Sequence, residues 1–122
     1  MGEPRKYDLE DRLVKFAIII LEVCDLLPES KAANNLDHQL SKSGTAPALM
    51  YGEAQAAESR ADFIHKMKIL LKELRETRIS LRIIIEKPVA KHEKIESALK
   101  ECNELIGIFT KSIETANKNK VH

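Results

Sequence analysis

Residues 59–88 read SRADFIHKMKILLKELRETRISLRIIIEKP, and within them Phe63, Met67, Leu70, Leu74, Thr77, Leu81 and Ile84 recur at alternating steps of four and three. On an α-helix that spacing holds all of them on one face, because a turn takes about 3.6 residues. Ser59, with Asp62 three residues on, reads as a capping-box start in which the shorter Asp replaces Glu, and Pro88 closes the run. A helix over residues 59–87 with so strict a repeat suits coiled-coil-like packing in a bundle.

Three further segments carry the same period. Leu9, Leu13, Phe16, Ile20, Cys24 and Leu27 predict a helix over 8–27, with Asp8 as its N-cap and Pro28 as its stop. Ser30 opens a second helix over 30–57, through Ala33, Leu36, Leu40, Ser43, Pro47, Met50 and Ala54. Gly44 and Pro47 both disfavour a helix interior, so a kink is expected near residues 43–47, or a break into two helices. Ile95, Leu99, Cys102, Ile106, Phe109, Ile113 and Ala116 predict a last helix over 91–116, before a polar tail. Four helices with short connections favour antiparallel neighbours. The expected fold is all-α, an up-down-up-down four-helix bundle in a single domain spanning 1–122.

Composition agrees with that class. Apolar residues make up 43% and charged residues 32%, while four Gly and four Pro leave little turn chemistry for an all-β fold. Twenty Lys and Arg against nineteen Asp and Glu give a net charge of +1, so any site for a polyanion must be local. Cys24 and Cys102 sit inside apolar helical patterns without metal-ligand spacing and read as core thiols. Residues 1–11 are polar, and the apolar run that follows holds Lys15, Glu22 and Asp25; neither a signal peptide nor a membrane span is expected, and the expected location is cytoplasmic.

Some apolar residues fall outside the predicted core. Ile18 interrupts the polar stripe of Asp11, Lys15, Glu22 and Asp25, and Ile69 and Ile83 lie on the wheel beside Asp62, Glu73, Glu76 and Ser80. Apolar residues recurring at helical spacing on two outward faces predict a homo-oligomer with Ile18, Ile69 and Ile83 at its interface. The competing reading is that single surface isoleucines are ordinary.

The search for chemistry returns little. A carboxylate-bridged metal site in a bundle needs repeated Glu-x-x-His pairs, and only Asp62 with His65 approaches one; His38, His92 and His122 stand apart. No metal, cofactor or catalytic residue is expected. Ser43-Gly44-Thr45 lacks the flanking residues of a nucleophile elbow or phosphate loop and reads as part of the helix irregularity. Glu53 reads as the partner of an Arg on the third helix. One asymmetry remains: residues 59–87 hold eight Lys or Arg against four acids, whereas residues 1–29 hold four against seven. Within the third helix Lys68, Lys72, Arg75 and Arg82 form one stripe, three residues after His65, which is either a phosphate footprint or a solvated face balanced by Glu73 and Glu76. With no Trp and few other aromatics, base stacking is not expected.

The blocks Gln39-Leu40-Ser41-Lys42-Ser43-Gly44-Thr45, Glu53-Ala54-Gln55-Ala56-Ala57, Ala61-Asp62-Phe63-Ile64-His65-Lys66 and Leu71-Lys72-Glu73-Leu74-Arg75-Glu76-Thr77, in this order, resemble one family. It is that of the bacterial four-helix-bundle proteins encoded in 23S rRNA intervening sequences, sometimes named as ribosomal proteins, and the likeness runs over about residues 13–113. The resemblance implies an up-down bundle assembled into a homo-oligomeric ring, a pentamer, with no known catalytic activity. It further implies kinship with the accessory proteins of diversity-generating retroelements, in which a basic ring surface works with a reverse transcriptase and nucleic acid. An RNA or ribosome-associated partner is the corresponding expectation here. Ser41, Met50 and the near-neutral charge depart from those patterns.

Overall fold

A computed structural model describes residues 6–120, which form four α-helices: α1 (Lys6–Asp25), α2 (Lys31–Gln55), α3 (Arg60–Glu86) and α4 (Glu93–Lys120). The ends follow local chemistry. Ser30 Oγ accepts the Ala33 N–H at 3.1 Å and Ser59 Oγ accepts the Asp62 N–H at 3.0 Å, each satisfying an orphan donor of the first turn. At the head of α4, His92 does the same work, its Nδ1 accepting the Lys94 N–H at 3.0 Å. Asp8, expected as the N-cap of α1, instead lies within its first turn, where a carboxylate suits the helix dipole. Helix α1 stops at Asp25, two residues before the expected end, because Pro28 disfavours helical backbone at Leu27. Helix α4 starts later than expected and runs on to Lys120.

Helix α2 passes through Gly44 and Pro47 as one uninterrupted helix, not two. Proline removes the donor that the Ser43 carbonyl would use. Beside it, Thr45 Oγ1 donates to the Ser41 carbonyl at 2.8 Å.

Each helix packs on its neighbours in sequence and α1 closes on α4, so α1 and α3 occupy opposite corners. The contacts fix antiparallel registers. Arg12 meets Glu101 while Glu22 meets Lys94 across α1 and α4. Glu53 meets Lys66 while Ser43 meets Thr77 across α2 and α3.

The core follows the four apolar stripes, with Leu13, Phe16 and Ile20, Leu40, Leu70, Leu74, Leu81 and Ile84, and Ile95, Cys102 and Phe109 all buried. Burying each large side chain contributes about 1.5–3 kcal/mol. The pattern slips in places: Ile64 is buried where Phe63 was expected and Phe63 is half-buried, while Val23 is buried and Cys24 only half so. Tyr51, outside the α2 pattern, packs its ring edge-on to Phe109 with centroids 5.8 Å apart. Cys24 and Cys102 are both free thiols, and no described helix is long and apolar enough to cross a membrane.

Candidate nucleic-acid interface

The steps of four and three from Lys68 to Lys72 to Arg75 place these side chains on one line of α3. Helix α2 adds His38, Gln39 and Lys42, which the Ser43–Thr77 contact places towards the Ile79–Ile83 end, and the two helices enclose a groove of about 880 Å³. Leu71, Ile79 and Ile83 supply apolar lining, and Glu73 and Glu76 its carboxylates. Lys72 reaches Glu76 only at 3.9 Å. Lys42, Lys68 and Arg75 have no ion-pair partner among the described residues.

Glu73 records the local field. Partial burial and then the Glu76 charge push its carboxyl above the usual carboxylate range, against the opposing pull of Lys72 and Lys42. Four cations thus share the groove with two acids, one of them poorly solvated.

Arg82 continues the stripe along the sequence but not into this groove. Its Nε donates to Glu86 at 2.8 Å, and it borders clefts nearer the end of α3. Glu53 pairs with a lysine, Lys66 Nζ at 2.9 Å, and not with the expected arginine; the pair is exposed. Lys42 and His38 escaped the sequence reading because a helical wheel shows one helix at a time. Their chemistry becomes visible only once α2 and α3 are in register.

Of the three residues expected at an oligomer interface, Ile18 and Ile83 are 50% and 46% exposed, while Ile69 is half-buried. Sequence reasoning missed Val14, Leu21 and Ile79, which are 43%, 46% and 45% exposed. The signal was present: 14, 18 and 21 repeat the same four-three step on the outer side of α1. Among the described residues no group of three or more His, Cys, Asp or Glu side chains converges as a metal site would require. Asp62 and His65 lie near the start of α3, where the Asp62 N–H caps onto Ser59.

The ion pairs on the far side are structural. Arg12 grips both Glu101 carboxylate oxygens at 2.7 and 2.8 Å and reaches Glu104 at 2.9 Å, tying α1 to α4. The Glu101 hydrogen bond raises the Arg12 pKa above its already high value, so the clamp stays charged.

No curated protein matches the chain. Among solved structures, the chain is similar to a protein of unknown function from the S23 ribosomal protein family of Bacteroides thetaiotaomicron, with 29% identity, a TM-score of 0.80, and coverage of 89% of this chain and 97% of that one. The family model described as 23S rRNA-intervening sequence protein matches residues 5–111. The chain belongs to the 23S rRNA-intervening sequence protein family.

Proposed function

We propose that this chain is a non-catalytic module that self-associates into a ring and holds RNA by its phosphate backbone along the α2–α3 groove. The observation that carries the reading is the set of three cations, Lys42, Lys68 and Arg75, that line one groove without a carboxylate partner of their own. A cation left unneutralised within its own chain is one that a phosphate can use, and Lys72 and His38 stand beside them. The groove has no Phe, Tyr or Trp in its lining, so contact is to the backbone and not to a run of stacked bases. The family description, 23S rRNA-intervening sequence protein, supports structured RNA as the polyanion, and the compartment of this reading is the cytoplasm.

The test is a salt titration of binding to structured RNA. Each neutralised phosphate adds roughly 0.7–0.9 to the logarithmic salt slope, so affinity should be measurable at low salt and fall steeply towards physiological salt. Replacing Lys72 and Arg75 together by Ala should lower both affinity and slope while the helical circular dichroism stays intact, Ala being a good helix former. Unchanged binding in the double variant excludes the groove. Absence of binding by the unmodified protein at low salt favours a second reading, a protein-binding scaffold, for which the exposed Ile79 and Ile83 speak.

A further inference from the structure

Outside the core, α1 presents an apolar ridge. Val14, Ile18 and Leu21 are each 43–50% exposed and lie on one line of the helix, about 10 Å long at a rise of about 1.5 Å per residue. Exposed acids bracket that ridge: Glu10 and Asp11 before it, Glu22 and Asp25 after it. Asp11 and Glu22 hold Lys15 and Lys94 at 3.0 Å each, whereas Glu10 and Asp25 take no part in an ion pair among the described residues.

The outer face of α3 offers the complement. Near its C-terminal end Ile79 and Ile83, 45% and 46% exposed, border a cleft of about 480 Å³ together with Arg82, Glu86 and Lys87. Lys87 has no ion-pair partner among the described residues. The charges of the two segments match in the same sense: residues 1–29 carry seven acids against four Lys or Arg, and residues 59–87 carry eight Lys or Arg against four acids.

We infer that the Val14–Ile18–Leu21 ridge of one copy seats on the Ile79–Ile83 shelf of the next, with the α1 acids meeting Lys87 and Arg82 beside that shelf. The inference rests on the self-association proposed above and names its surfaces. The backbones of α1 and α3 stand at opposite corners of the bundle, and ridge and shelf are both exposed, so a copy does not cover its own ridge with its own shelf. A contact that joins two different patches is heterologous, and repetition carries it round until a ring closes. Apolar burial supplies the attraction, and the flanking charges set register and reject a ridge-to-ridge pairing that would oppose acids to acids. Lys68 and Lys72, nearer the start of α3, lie beyond the shelf and stay open to phosphate in this arrangement.

Mixing two blocked variants of the full chain tests the pairing. By light scattering at tens of micromolar, the unmodified protein should have a mass several times 13.8 kDa. Ile18→Glu and Ile83→Glu, each putting a charge into the contact, should reduce it to that of one chain. An equimolar mixture should then form a species of about twice 13.8 kDa, because one intact ridge and one intact shelf remain and no further copy can add. Recovery on mixing also proves both variants folded; should either lose its circular dichroism, Ile18→Ser and Ile83→Ser replace them. Variants that stay oligomeric, or folded monomers that fail to pair on mixing, overturn the interface while leaving self-association standing. A monomeric unmodified protein overturns both.

Discussion

At Gly44 the absence of a side chain sets how closely α1 and α2 approach. A Cβ built there would lie 2.5 Å from Ile20 Cγ2 and within 2.9 Å of two more Ile20 atoms, and Ile20 is itself fully buried. Overpacking of that kind costs about 1–3 kcal/mol, more than the helix propensity that alanine brings. Gly44→Ala should therefore lower the urea midpoint. Gly107→Ala, with nothing within 4 Å of its added methyl, should raise stability by about 0.5–1 kcal/mol. If both substitutions stabilise, the close approach is not a constraint. In sequence, Gly44 with Pro47 reads as a defect of one helix, whereas in the structure it accommodates a residue of another, a relation that local propensity does not encode.

Along the seam between α2 and α3, a buried polar pair replaces apolar contact. Thr77 Oγ1 donates to the Glu73 carbonyl at 2.8 Å and lies 2.9 Å from Ser43 Oγ, so the Ser43 hydroxyl proton is the one that joins the two helices. Thr77→Val keeps the shape and leaves Ser43 unpartnered in the core, at a cost of about 1–2 kcal/mol. Adding Ser43→Ala should recover part of that loss in a double-mutant cycle, and purely additive losses would show that the pair is not coupled. The four-three repeat of α3 made Met67, Leu70, Leu74, Thr77, Leu81 and Ile84 legible as core, and all are buried. Ser80 was not legible: grouped with the outward polar residues, it is only 6% exposed, on the side of α3 where the small Ser43 of α2 faces Thr77. Periodicity reveals the axis of a buried face, but its width depends on the size of side chains across the seam.

The bundle as a whole places an acidic helix and a basic one at opposite corners, and that polarity is legible in the amino-acid composition of residues 1–29 and 59–87. Which cations share a groove was less so, since Lys42 joins Lys68, Lys72 and Arg75 only through the register of α2 on α3, and Arg82 turns to Glu86. The expected single domain has its own reporter in Cys102, which is fully buried and donates to the Leu74 carbonyl at 3.2 Å. Burial pushes both this thiol and that of Cys24 up to about 12. A raised thiol pKa favours the folded state fully below the ordinary value of about 8.5, and that contribution is lost as pH climbs towards the folded value, so stability should decline in alkali. At about pH 8 the buried thiol stays protonated and covered, so alkylation of Cys102 must proceed through an opened chain. Its rate should rise with urea in step with the loss of helical circular dichroism. Should Cys102 be labelled well before the helices melt, its layer of α3 and α4 opens on its own, and the four helices do not unfold as one cooperative unit.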